Sequence, residues 1–190
     1  VKIHIAALGV EIIEDIELLR KIVAIVHGEG HTLAHDWIEP AYAKAKKGNK
    51  ASKEEWAAMY VEGMDAVAKA DIVIAEASKR SFGVGYQVAM AVQHKKPTLI
   101  LKRQDSPSGG IVAGLEEQTV SIKTYTDATL ERYVSAFLRE NDIPLKDMRF
   151  NFFITRNIYN YLRAASARTG KTKAELIREL VKDEISKENR

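Results

Sequence analysis

Two hydrophobic periods alternate along the first three-quarters of the chain. Val1 to Leu8 changes sides at every residue, the period of a half-buried strand. Glu11 to Val26 repeats every three to four residues, as an amphipathic helix does, and Gly28 and Gly30 end it. His31 to Ala34 reads as a short second strand, and His35 to Lys50, polar and carrying Pro40 and Gly48, as a long loop or partly helical excursion. Ser52 and Glu55 have capping-box spacing ahead of a helix that runs to about Ala70. Asp71 to Ala77, apolar without interruption from Ile72 to Ala75, reads as a strand covered on both faces. Gly83 to His94 follows as a helix, Pro97 to Leu101 and Thr119 to Lys123 as strands four and five. Asp127 is placed to cap a last helix reaching about Glu140. Strands alternating with helices predict an α/β fold: a flavodoxin-like parallel five-stranded sheet with helices on both faces and its ligand at the carboxyl ends of the strands.

After Asn141 to Asp147, a linker containing Pro144, the pattern changes. Phe150, Phe152 and Ile154 share one face of a strand, and Arg149, Asn151 and Phe153 the other. A helix follows with Ile158, Tyr161, Leu162 and Ala165 on one stripe. Gly170 breaks it, and Thr172 caps a second helix lined by Leu176, Ile177, Leu180, Val181 and Ile185. The organisation expected is therefore a domain over 1–140, a linker over 141–147 and a β-α-α unit over 148–190. One strand and two short helices bury too little surface to stand alone, so the second unit calls for a partner, most simply its own copy.

Composition narrows the function classes. The chain has 46% apolar residues, no cysteine and no apolar run of bilayer-spanning length, which excludes thiolate zinc sites, disulfides and cysteine nucleophiles; a cytoplasmic protein without membrane contact is expected. The net charge of +3 is unevenly spread: residues 148–190 carry 10 Lys/Arg against 5 Asp/Glu, the remainder 19 against 21. A basic tail on a near-neutral body points to two units with different partners. His27, His31 and His35 are spaced by four, but Gly28 and Gly30 interrupt any helix that would align them, so neither metal nor cofactor is expected. Trp37 and Trp56 read as core or site-lining residues, with base stacking a further role open to Trp37.

The densest chemistry lies in Asp71 to Gln87, DIVIAEASKRSFGVGYQ. A strand passes through a Ser-Phe-Gly-Val-Gly turn into a helix, a place where first-turn amides face an anion. Ser81, Gly83, Val84, Gly85 and Gln87 are the candidate ligand-binding residues, with Ser81 offering a hydroxyl. This stretch, continued as VAMAV and followed by KKPTLIL, resembles the nucleoside 2-deoxyribosyltransferase superfamily, most closely its 2'-deoxynucleoside 5'-phosphate N-hydrolase branch. The resemblance implies a homodimer that binds a deoxynucleotide or related phosphorylated nucleoside beside the glycine turn. It also implies two carboxylates that are missing here. The family nucleophile, a glutamate that attacks the anomeric carbon, falls on Gln87, and a family aspartate falls on Gly63. An amide is a far weaker nucleophile and carries no charge to stabilise an oxocarbenium-like centre.

The segment RFNFFITRNIYNYLRAASARTGKTKAELIRELVKDEI resembles a ribbon-helix-helix DNA-binding domain. The resemblance implies that Arg149, Asn151 and Phe153 face bases and that Lys171, Thr172 and Lys173 meet a phosphate. The combined reading is a nucleotide-binding, catalytically impaired protein with a DNA-binding and dimerising tail, a ligand-responsive regulator. The alternative is an active N-glycosidase or deoxyribosyltransferase on deoxynucleoside 5'-monophosphates, using Glu62, Asp65 or Glu76, with the tail serving oligomerisation only.

Overall fold

A computed structural model describes residues 1–9, 11–48, 51–106, 117–142 and 153–188. The chain divides into two compact units, Val1–Pro144 and Leu145–Arg190. The first contains strands β1 (Lys2–Ala6), β2 (Thr32–Leu33), β3 (Ile72–Glu76), β4 (Thr98–Arg103) and β5 (Val120–Tyr125). Its helices are α1 (Ile12–Gly28), α2 (Ile38–Lys46), α3 (Lys53–Lys69), α4 (Phe82–Gln93) and α5 (Leu130–Asn141). All strand pairs are parallel, in the order β2-β1-β3-β4-β5, as the alternation of periods predicts. The order reverses between β1 and β3, which opens a crevice at their carboxyl ends.

Side-chain alternation divides the core between the two faces of the sheet. Ile3, Ile5, Ile72, Ile74, Leu99 and Leu101 point to one face and pack with Leu19 and Ile22 of α1 and Val134 and Leu138 of α5. The other face is built from smaller residues: Ala6, Ala75 and Ile100 lie under Val84 and Val88 of α4, and Val73 meets Val67 of α3. Short side chains there let α3 and α4 lie close to the strands.

Local signals explain most boundaries. Ser52 accepts a hydrogen bond from the Glu55 amide at 3.2 Å while the Glu55 carboxylate accepts from the Ser52 amide at 2.7 Å, the expected capping box at the start of α3. The excursion at 35–50 contains a helix, α2, whose first turn holds Pro40, where a missing amide costs nothing. Asp127 does not cap α5: the N-cap residue is Thr129, and Asp127 instead faces Arg103 at 3.6 Å. Trp56 is not in the core; it is 50% exposed on α3.

The second unit contains α6 (Arg156–Thr169) and α7 (Lys173–Glu188). Thr155 caps α6, Gly170 ends it in the left-handed conformation at φ 71°, and Thr172 and Glu175 form a capping box on α7. Only Leu162 and Ala165 are buried on α6, while Ile158, Tyr161, Leu180 and Val181 are exposed. Of the expected ribbon, Arg149 and Asn151 lie outside the described residues, and Phe153 is fully exposed.

Ile74 is the central, fully buried residue of the central strand. Ile74→Ala is expected to destabilise the first unit by about 3 kcal/mol in equilibrium urea unfolding, through lost burial and the cavity left behind.

Candidate functional site

The loop from β3 to α4 is fastened before it reaches the helix. The Lys79 ammonium meets Glu11 at 2.6 Å, and Glu14 and Asp15 at 3.0 Å each, at the start of α1. Partial burial opposes its charge, but the three carboxylates outweigh it and hold the ammonium well above the usual lysine range. The Glu76 carboxylate accepts hydrogen bonds from the Tyr125 hydroxyl at 3.0 Å and the Ser78 hydroxyl. Burial first, and then the negative charge of Glu76, push the Tyr125 phenol up, so it stays a donor. Both anchors set where Ser81 emerges.

Ser81 is the N-cap of α4, and its hydroxyl oxygen accepts from the Val84 amide at 3.2 Å. The helix therefore starts one residue earlier than expected, at Phe82, and Gly83 and Gly85 lie in its first turn instead of forming a tight turn. Neither glycine has a positive φ. Their contribution is space, since a Cβ at Gly85 would meet nothing within 4 Å and one at Gly83 only the Ser81 hydroxyl at 3.8 Å. The Gly85 amide bonds to the Ser81 carbonyl at 3.1 Å. The Phe82 and Gly83 amides, at the first two helical positions, have no carbonyl partner within the helix and face outward.

The two positions singled out by their missing carboxylates lie together. Gly63 of α3 faces Gln87 of α4, so that a Cβ at Gly63 would stand 3.5 Å from Gln87 Nε2 and 3.9 Å from its Cδ. Beneath them is His4 of β1, only 2% exposed, whose Nε2 lies 2.7 Å from Gln87 Oε1. No motif marks His4, because its neighbours Ile3 and Ile5 make it look like one position of an alternating strand. Alternation is itself the clue: with Ile3 and Ile5 on the α1 face, His4 must point toward α4. Burial holds the imidazole below its ordinary range, against the opposing effect of the Gln87 hydrogen bond. Its Nδ1 is buried and has no hydrogen-bond partner among the described residues. A proton on Nδ1 would be an unsatisfied buried donor, so the neutral ring carries its proton on Nε2 and donates to Gln87 Oε1.

The other carboxylates near the site point elsewhere. Glu76, at the end of β3, faces the α1 side of the sheet with Tyr125, opposite to Gln87. Glu62 and Asp65 are exposed on α3, and Asp65 pairs with Lys69 at 2.7 Å. Trp37 stands near the end of β1, its indole donating to the Ile5 carbonyl at 2.9 Å. Aromatic rings border the helix start: Phe82, 90% exposed, lies 6.3 Å from Tyr86, whose hydroxyl is 3.4 Å from that of Tyr60. Within the second unit, Lys171 pairs with Glu179 at 2.6 Å, Thr172 is engaged in the α7 capping box, and Lys173 covers the Tyr159 ring at 4.4 Å. Among the described residues no group of three or more His, Asp or Glu side chains converges as a metal site, and no helix is long and apolar enough to cross a membrane.

Three proteins named as nucleotide N-hydrolases are similar to this chain in sequence. A 5-hydroxymethyl-dUMP N-hydrolase from Branchiostoma floridae is 31% identical over 84 residues, 43% of this chain and 80% of that protein. Two proteins provisionally named 2'-deoxynucleoside 5'-phosphate N-hydrolase 1 are also similar. The one from Methanosarcina barkeri is 30% identical over 81 residues, and the one from Methanosarcina mazei 28% identical over 95. These two alignments cover 42% and 50% of this chain, and the chain spans only about half the length of those relatives, 51% and 57%. The solved structure of a CMP N-glycosidase from Clostridium botulinum superposes with a TM-score of 0.50 at 16% identity, covering 72% of this chain and 97% of that one. No family model matches the chain. The chain belongs to the nucleotide N-hydrolase family of the nucleoside 2-deoxyribosyltransferase-like superfamily.

The buried neutral imidazole makes stability depend on pH in a defined window. The His4 pKa is lowered in the fold from an ordinary value of 6.5, so below 6.5 the unfolded chain takes up a proton that the folded one refuses. Stability is expected to be flat above that pH and to fall as the pH drops from 6.5 toward the lower folded value. Urea unfolding at pH 7.5, 6.5 and 5.5 measures the decline, and His4→Leu should remove most of the slope across this window.

Proposed function

We propose that the Val1–Pro144 unit binds a nucleoside 5'-monophosphate at the crevice beside α4, in a site of the N-glycosidase type. The observation that carries this reading is the convergence of His4, Gly63 and Gln87 next to the first turn of α4. The open amides of Phe82 and Gly83, with the Ser81 hydroxyl, suit a phosphate, and the glycines admit it to the backbone. Gln87, one turn further on, then faces the sugar. The resemblance to the superfamily supports an anomeric carbon at that position.

Hydrolysis of the N-glycosidic bond is the chemistry favoured by the three relatives named as N-hydrolases. The amide at 87 is not a competent attacking group, so water must supply the oxygen that joins the anomeric carbon while the base leaves with a proton. Without a carboxylate to stabilise the cationic centre, turnover is slow. The neutral His4–Gln87 pair favours a second reading, binding without turnover. In that case the unit is a nucleotide sensor. A basic Leu145–Arg190 unit with uncovered apolar helix faces supports a ribbon-helix-helix dimer that presents Arg149, Asn151 and Phe153 to DNA.

Incubation with the common deoxynucleoside and nucleoside 5'-monophosphates, followed by chromatography for free base, separates the two chemical readings. Base release that persists in Gln87→Ala identifies attack by water. Release that rises at least 100-fold in Gln87→Glu identifies an otherwise intact site, since loss of such a group costs several orders of magnitude. Thermal stabilisation by a nucleotide without base release supports the sensor. For the tail, a gel shift with genomic fragments should show binding that weakens steeply between about 50 and about 200 mM salt, as phosphate contacts require. Salt-insensitive or absent retention overturns the DNA role.

A further inference from the structure

The His4–Gln87 pair also specifies what kind of group the crevice recognises. His4 is locked as a donor: its Nε2 faces Gln87 Oε1 at 2.7 Å, and its Nδ1 is buried without a partner among the described residues. The Gln87 oxygen is thereby occupied, and the amide cannot rotate without turning its NH2 against the imidazole N–H. Gln87 Nε2 is left to face α3. At that point α3 has Gly63, where any side chain would begin 3.5 Å from the amide nitrogen. The result is a fixed, partly buried N–H donor beside a gap the width of a missing side chain.

A donor held in this way is satisfied by an acceptor oxygen and left unpaired by a C–H group. In the reading of this site as a nucleotide site, on which the present inference rests, Gln87 lies against the anomeric carbon. The sugar substituent nearest to it is then the one at the neighbouring 2' carbon. A deoxyribose presents only hydrogen there, and a ribose presents a hydroxyl.

We propose that the gap between Gly63 and Gln87 accommodates and reads a ribose 2'-hydroxyl, so that the site prefers ribonucleoside over deoxyribonucleoside 5'-monophosphates, with His4 as the positioning residue that fixes the amide. The preference depends on three positions together. Gly63 supplies the room, Gln87 the donor, and His4 the orientation. Filling the room with a large side chain, removing the donor or freeing the amide relaxes the choice of sugar.

Calorimetric titration of the full chain with matched pairs (CMP and dCMP, UMP and dUMP, AMP and dAMP, GMP and dGMP) tests this. For the base that binds best, the ribonucleotide is expected to bind about tenfold more tightly than its deoxy partner, the ratio one neutral hydrogen bond supplies. Gly63→Leu, which fills the gap, should bring that ratio to about one or below it while the deoxynucleotide still binds. Gly63→Ala adds only a methyl group in ordinary contact and favours the helix, so it serves as the control for folding. His4→Leu should lower the ratio by freeing the amide to rotate, an effect that a merely structural loss would not produce, since that would weaken both members of a pair equally. Equal affinity within every pair, or a ribose preference that survives Gly63→Leu, overturns the inference alone. Failure of all eight nucleotides to bind overturns the nucleotide reading and this inference with it.

Discussion

Every element of the first unit answers to one constraint: a parallel sheet has to be covered on both faces by the helices that return the chain to the start of each strand. The two coverings differ here. Large aliphatic residues fill the space under α1 and α5, whereas Ala6 and Ala75 on the other face leave α4 close to the strands. That closeness lets a side chain from the middle of β1 reach a side chain of α4. The His4–Gln87 contact forms on the face with the smaller side chains.

The same division separates the charged groups from the neutral ones. Glu76 has its partners Tyr125 and Ser78 on the thick side, where the carboxylate helps to organise the loop after β3. Lys79 is occupied by three acidic residues at the start of α1. The crevice at α4 is left with amides, hydroxyls and one neutral imidazole. In the nucleotide-binding role proposed above, such a site would draw phosphate through oriented dipoles rather than fixed charge, and would meet a sugar with single donors. The likeness to N-hydrolases therefore stands beside a Gly63–Gln87 pair that carries no charge.

The second unit follows a different economy. Its helices are well capped at Thr155, Gly170 and Thr172, so their limits are set locally, yet they bury only Leu162 and Ala165 on α6. A pair of helices with good ends and uncovered faces has secondary structure in excess of tertiary structure. Covering by a like unit is the simplest remedy, and it agrees with the two-fold assembly implied for both parts of the chain.

Periodicity alone determined the parallel α/β class, the strand order's general form and most helix limits. The reason is that these depend on near neighbours in the chain: Ser52 with Glu55, Thr172 with Glu175, and the apolar run Ile72 to Ala75 of β3. The motif around Gln87, and the oddity of an amide there and a glycine at 63, were also legible as a departure from a family pattern. The sequence misjudged Asp127 as a cap and left Trp56 open between core and site lining; the surroundings of both come from distant segments. Nor did it mark His4, which is 83 residues from Gln87 and looks like any polar position of an alternating strand. Only the tertiary structure decided that these two side chains meet, that Gly63 opens onto the same amide, and that Glu76 faces away. Which helix covers each face, and which side chains then meet across elements, is set by packing, and no local spacing encodes it.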